Sequence, residues 1–341
     1  MSYLQARRWH TALTLHLSVG SPACNRAFGA FAVVMNCAGP YAFLGEAVVK
    51  AVVTANDSLA QRREAPTDYI DLSGEPAWIE EMVLRYGDRA KRQGAAIIHA
   101  AAFDSVPADM GILQAKKQLL AKGAVPTSAE AFVRLKGSFD KGMGIHYATY
   151  EAAINGFSTR KHLSAVRKQL YAKLPRPKPQ PVEHGLSSGL PSRPGRFGGA
   201  INYAPDQGVY LIPFFFADPA IVRLSQSLQA SLGQDVPPVQ FAFWIAIPSL
   251  PVLIVLTLAL VLFGVLAQFS IGRTLLLRYP RIFTAGMVSH EGPTKEQRDA
   301  SSFSTTIVMR GYSKFALSQG DARGPDTRTV VRVTGPEIGW V

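Results

Sequence analysis

The chain has 341 residues, 48% of them hydrophobic and 18% charged, which is enough apolar material for two folded domains and excludes a disordered polymer. Its formal net charge of +12 favours anionic partners such as phosphorylated cofactors or anionic lipid. No zinc-finger, basic-zipper or RNA-reading pattern accompanies that charge, so specific nucleic-acid recognition is not expected, and two cysteines, Cys24 and Cys37, exclude a disulfide framework.

Residues 1–30 form an atypical opening segment with Arg7, Arg8 and Arg26 and no acid. Acid-poor, Arg-containing leaders can be mitochondrial, and TALTLHLSVG is a weak signal-peptide core. The segment holds no G-x-G-x-x-G turn, the device that brings backbone N–H groups to a pyrophosphate at a helix N-terminus. Gly142-Met143-Gly144 is the nearest substitute and lacks the third glycine.

From residue 31 to 121 three apolar runs, FAVVMNC, DYIDL and AAIIHAAAF, each end in a turn that opens a helix-like segment. The runs are continuous rather than alternating, which predicts parallel strands covered on both faces and an α/β fold. In such sheets ligands sit beyond the carboxyl ends of the strands. The candidate cofactor-binding residues are therefore Asn36, Cys37, Ala38, Gly39, Pro40 and Tyr41 after the first run, Ser73, Gly74 and Glu75 after the second, and Phe103, Asp104 and Ser105 after the third. Asn36 is placed to hydrogen-bond a flat ring and Gly39 to let it approach, although Gly39-Pro40 also reads simply as a turn. Glu75 and Asp104 read equally well as caps of the helices opening at Pro76 and Pro107. No single residue is assigned to catalysis. His99, inside an apolar run, reads as a satisfied core residue, and the polar stretch TANDSLAQRREAPT as an exposed insertion.

Residues 122–341 predict a second α/β region. The segment TRKHLSAVRKQLYAKL carries Arg160, Lys161, Arg167, Lys168 and Lys173 without an acid, as a solvated face or a lipid-headgroup contact would. Residues 174–198 are rich in Pro, Gly and Arg and predict a mobile, exposed loop. Residues 241–269 contain no charge and are followed by Arg273, Arg278 and Arg281, the pattern of a membrane segment, or of a helix buried in protein. Pro248 and Pro251 divide it into a short arm and a long one. None of the seven histidines has metal-ligand spacing, and no G-x-S-x-G elbow is present, so neither a metal site nor a serine hydrolase is expected.

The strings NCAGPY, TDYIDLSGEPAW and GAAIIHAAAFDSVPADMG, followed in order by YLIPFFFADPAIVRLSQS from Tyr210, EGPTKEQRDASSF from Glu291 and Gly311-Tyr312-Ser313-Lys314, resemble the saccharopine dehydrogenase-like oxidoreductases over residues 31–341. The resemblance implies a Rossmann-type domain for NAD or NADP, then an α/β substrate domain, with the rim residues above at the nicotinamide end. It implies hydride transfer on a lipid-like or amino-acid-derived small molecule, at a membrane or lipid-droplet surface facing the cytoplasm: lipid droplet, endoplasmic reticulum or mitochondrial membrane. The family's glycine-rich opening is absent before residue 31, and the chain stops at GPEIGWV where the family continues. The expectation is thus a partial Rossmann-like parallel sheet over 31–121 and a substrate-type domain over 122–341, with cofactor binding and catalysis impaired. The different-class alternative is a non-catalytic membrane-associated scaffold. Blocks on both sides of 241–269 belong to one domain of the family, which favours an in-plane or re-entrant segment over a simple crossing. Oligomeric state stays open.

Overall fold

The computed structural model of the chain describes residues 3–8, 11–16, 32–137, 142, 144–193, 202–319 and 324–336. Cys24, Met143, residues 194–198 of the Pro-rich stretch and the closing residues 337–341 lie outside them. In chain order the strands and longer helices are β1 (Tyr3–Arg8), β2 (Thr11–His16), β3 (Val33–Asn36), α1 (Tyr41–Gln61), β4 (Asp68–Asp71), α2 (Pro76–Gln93), β5 (Ile97–Ile98), α3 (Val106–Ala121), β6 (Ala124–Lys136), α4 (Tyr147–Ser158) and α5 (Arg160–Lys173). They continue with β7 (Asn202–Ala204), β8 (Val209–Pro213), α6 (Asp218–Ser231), β9 (Gln240–Ile247), α7 (Leu250–Gln268), α8 (Ser270–Arg278), β10 (Ser302–Ser313) and β11 (Thr327–Pro336). They form two compact units, residues 1–105 with 147–173 and residues 106–146 with 174–340.

The sheet of the first unit has the order β2-β1-β3-β4-β5. The three apolar runs are its parallel core: β3 pairs with β4 and β4 with β5 in the same direction. Beyond β3 the sheet continues through the antiparallel hairpin β1–β2, within a segment whose sequence carried no strand assignment.

Helix α1 buries Val48, Val49, Val52, Val53 and Leu59. Their spacing of three, four and seven carries the helix through Gln61, so most of the polar stretch expected to be an exposed insertion is its last turns. Asn56, 1% exposed, closes the connection by donating to the Thr67 carbonyl (3.0 Å) and accepting from the Thr67 N–H (2.8 Å), which leaves only a short exposed link before β4. On α2, Trp78 packs over Gly45 of α1, where any side chain would meet the indole ring. Helix α5 lies against α2. Arg167 forks onto Glu80 (2.8–3.0 Å), His162 reaches Glu81 (2.7 Å) and Lys173 reaches Asp88 (3.7 Å). Two of the five cations in the run that sequence offered to lipid headgroups, Arg167 and Lys173, are thereby matched by acids on a neighbouring helix.

The second unit is a six-stranded sheet of order β11-β10-β6-β9-β8-β7, parallel only between β6 and β9. Helix α3 packs on β6, β10 and β11. Gly111 permits this by letting Ile307 and Val333 reach its backbone. The opposite face holds an apolar cluster of Phe132, Ala204, Val209, Leu211, Ala246 and Val308. The Pro-rich stretch expected to be mobile and exposed is, in its described part, fastened to the sheet: Thr127 and Tyr312 donate to the Ser188 and Ser187 carbonyls, and Arg193 pairs with Glu130.

The uncharged stretch 241–269 divides where its prolines predict. Phe241 to Ile247 belong to β9, inside the sheet, and only Leu250–Gln268 is the long apolar helix. Among the described residues it is the one helix long and apolar enough to cross a membrane. Its side chains face outward, Val255 at 69% and Leu258 at 65% exposure. Helix α8 folds onto α7, with Gly272 against the Leu266 backbone, and Arg273 donates to the terminal carbonyls of Ala267 (3.1 Å) and Gln268 (3.3 Å).

Candidate functional site

The three sequence-marked turns meet at the carboxyl ends of β3, β4 and β5. Asp71 is their anchor. Fully buried, it accepts from the Ser73 N–H (3.0 Å), the Ser73 hydroxyl (2.7 Å) and the Ala100 N–H (3.1 Å) on one oxygen, while the other lies 2.6 Å from His99 Nδ1. Burial alone would raise its pKa, but the bonds from His99 and Ser73 hold it below the usual carboxylate range. His99 is itself wedged edge-on against Tyr69 and Trp78, a buried and partnered residue as its apolar context implied.

Asn36 sits beside this anchor with no exposed surface. Its amide donates to the Tyr69 hydroxyl (3.1 Å) and accepts from the Ala38 N–H (3.0 Å), so it braces the turn rather than presenting itself to a ring. Tyr41 closes the circuit, donating its hydroxyl to the Asn36 carbonyl (3.0 Å) and accepting from the Leu72 N–H (3.3 Å). Cys37 is exposed, and Gly39 and Pro40 carry the chain to the first turn of α1.

Glu75 does not cap its own helix. Pro76 occupies the first position of α2 and has no N–H to offer. The carboxylate instead takes the first two N–H groups of α1, Tyr41 at 2.7 Å and Ala42 at 3.1 Å, and so caps the preceding helix from across the rim. Burial, with Asp71 and Glu151 adding repulsion, raises its pKa despite those two donors. Gly74 lies so close to Asp104 that a Cβ there would come within 2.9 Å of the carboxylate. Asp104 is only half-buried as a residue, yet burial of its carboxyl pushes the pKa up to about 6. The Ser105 N–H donates to the Ala100 carbonyl (2.8 Å). Among the described residues two buried polar atoms near this rim have no hydrogen-bond partner: Ser105 Oγ and Trp78 Nε1.

The structure thus brings the turns 36–41, 73–75 and 103–105 together. Sequence reasoning put Asp71 at the ligand-facing end of the second run but missed its pair with His99; a lone acid and a lone histidine within apolar strands were the available signal. Chemically the rim is anionic. The first two amides of α1 are taken by Glu75 and Pro76 removes one donor at the start of α2, so the rim has fewer N–H groups for a phosphate than two uncapped helix starts would supply.

No protein-family model matches the chain. It is 34% identical over 309 residues to the saccharopine dehydrogenase-like oxidoreductase of Rattus norvegicus, covering 91% of this chain and 65% of that protein. To a probable mitochondrial saccharopine dehydrogenase-like oxidoreductase of Arabidopsis thaliana it is 31% identical over 331 residues, covering 91% and 67%. A lipid droplet localized protein of Caenorhabditis elegans is 31% identical over 312 residues, with 91% and 67% covered. The chain therefore spans about 65% of the length of the rat relative. Saccharopine dehydrogenase from Saccharomyces cerevisiae aligns at a TM-score of 0.41 and 10% identity over 95% of this chain and 76% of that one.

Proposed function

Because the chain belongs to the saccharopine dehydrogenase-like oxidoreductases, we propose that its β3–β4–β5 rim receives the nicotinamide end of NAD or NADP for hydride exchange with a lipid-like or amino-acid-derived substrate. The observation that carries this reading is the hydrogen bonding that joins the three strand-end turns at one end of a parallel sheet: Tyr41 binds the Asn36 carbonyl and Glu75, and Asp71 binds Ser73 and the Ala100 N–H. Ser105 Oγ and Trp78 Nε1 would hold the carboxamide, and Gly39 and Gly74 leave the backbone bare for a flat ring. The bound nicotinamide would supply the hydride. Asp104, with a pKa near 6, is the rim group able to hand a proton to or take one from a substrate near neutral pH. The rim's own residues do not fit the pyrophosphate, so affinity for the dinucleotide should be weak. Titration of the full chain with NADH and with NADPH, followed by nicotinamide fluorescence, tests the reading. Saturable enhancement lost in Gly74→Val supports it; no saturation at millimolar cofactor, or binding indifferent to Gly74→Val, contradicts it and leaves the scaffold reading.

The same family places two of the relatives at organelles by name. We propose that α7 inserts this chain into the cytoplasmic face of a lipid droplet, endoplasmic reticulum or mitochondrial membrane without crossing it. Nineteen residues rise roughly 28 Å, close to a hydrocarbon thickness of about 30 Å. Yet β9 before the helix and β10 after it both flank β6 in one sheet. A lone crossing would put those two strands on opposite sides of the membrane. A re-entrant α7–α8 hairpin keeps them together, and Arg273 satisfies the helix's last carbonyls. Protease protection of tags placed in the loop before β9 and after β11 decides between the arrangements. Both tags accessible from one side fits insertion, and opposite sides excludes it.

A further inference from the structure

We propose a second binding site, for an oxyanion, on the sheet face of the second unit that lies opposite α3. Along this face β6 presents Ser128, Glu130 and Phe132, with Arg310 directly across from Ser128 and Thr306 across from Phe132 on β10, and Trp244 across from Phe132 on β9. Glu130 has no exposed surface, and both of its oxygens are taken: Arg193 Nε donates to Oε1 (2.7 Å), and Arg193 Nη2 (3.2 Å) and Arg310 Nη2 (3.0 Å) donate to Oε2. Two guanidinium groups thus converge on one buried carboxylate. Asp206 stands 3.6 Å from Arg193 and is half exposed, so it offsets the remaining positive charge only weakly.

Among the described residues four polar atoms on this face are buried with no hydrogen-bond partner: Arg310 Nη1 and Ser128 Oγ at one register position, and Thr306 Oγ1 and Trp244 Nε1 beside Phe132, four residues along β6. Ser128 is 0% and Thr306 5% exposed. Arg310 Nη1 and Trp244 Nε1 can only donate, so each lacks an acceptor, and the Ser128 hydroxyl beside Arg310 can donate to the same acceptor. Leaving buried donors unpaired is unfavourable, and native folds rarely group them. Directly beside Arg310 the register shifts, Arg310 facing Ser128 and Gly311 facing Pro126, so Thr127 has no partner opposite. Such bulges re-aim side chains and recur beside binding sites. A carboxylate or phosphoryl group bound at the Ser128–Arg310 position supplies acceptors to Arg310 Nη1 and Ser128 Oγ, and negative charge beside the two guanidinium groups.

The test is calorimetric titration of the full chain in detergent with inorganic phosphate and, separately, with glutarate at constant ionic strength. Saturable binding is expected for one or both, phosphate the tighter if the natural ligand bears a phosphoryl group and glutarate the tighter if it bears a carboxylate. Ser128→Ala and Arg310→Lys should each weaken that binding at least tenfold. Ser128→Ala removes an unpartnered hydroxyl, so the free protein should keep or raise its melting temperature, and Arg310→Lys retains the positive charge beside Glu130. Absence of saturation with either anion, or equal affinity in wild type and both variants, overturns the proposal. Because neither anion resembles nicotinamide, failure here leaves the rim reading intact.

Discussion

The two sheets carry opposite charge over their polar faces, and the difference separates a braced site from an incomplete one. At the rim of the first unit Asp71, Glu75 and Asn36 turn inward, occupied by amides, hydroxyls and His99, and the unpartnered groups are one hydroxyl and one indole N–H. On the second sheet Arg193 and Arg310 meet Glu130, with only the half-exposed Asp206 to offset the second cation, and donors are left over. An acid-lined rim with the first two amides of α1 taken disfavours phosphate; a cation-rich face with spare donors favours it. The lesson is that the chain's affinity for negative charge does not reside where its nucleotide-like turns are.

The hardest way to break that contrast is Glu130→Ala. It leaves Arg193 and Arg310 buried without their carboxylate and should cost about 3–5 kcal/mol in urea unfolding. A cost under 1 kcal/mol would mean the cluster is not desolvated. Next comes the pH dependence of the rim. Asp104 is raised above its unfolded value, so its contribution favours the folded state fully below about pH 4 and is lost as pH rises through about 6. With its partial exposure, the loss between pH 4 and 7.5 should be roughly 2 kcal/mol at most. Asp104→Asn should flatten that slope, visible in melting temperature against pH.

A smaller effect sharpens the comparison further. Glu75→Ala uncaps α1 at a cost of roughly 1 kcal/mol in thermal unfolding. It also releases the Tyr41 and Ala42 N–H groups, so the variant rim should gain measurable affinity for pyrophosphate while wild type shows none. The smallest concerns Lys116, a buried cation in the second unit with one neutral partner, Gln226 at 3.2 Å. Burial lowers its pKa to about 8, against the pull of Asp109. The stability it contributes is present above its ordinary pKa and lost as pH falls through about 8, which makes it a cost at pH 7. Lys116→Met should therefore be neutral or up to about 1 kcal/mol stabilising at pH 7 by denaturant melts, with the advantage vanishing above pH 10.

What sequence makes legible here is what lies close in the chain. Strand, turn and helix onset fall within a dozen residues at each of 33–41, 68–76 and 97–106, so the parallel core and the rim could be read directly. Glu130, Arg193 and Arg310 could not, being 63 and 180 residues apart until β10 pairs with β6. The same distance hid the acids that balance α5, since Glu80 precedes Arg167 by 87 residues. The end of α1 was misread for another reason: Asn56 looks like loop chemistry, and only its bonds to Thr67 show it closing a helix. In 241–269 hydropathy cannot distinguish a central strand from a membrane helix, and the break at Pro248 and Pro251 was the informative mark.

The central claim is that the rim accepts the nicotinamide end of the cofactor and not its phosphates. Saturation-transfer NMR on the full chain with NAD measures this contact proton by proton. Strongest saturation on the nicotinamide ring protons, diminished in Gly74→Val, is the predicted result; strongest saturation on the adenine protons, or none on either ring, would contradict it.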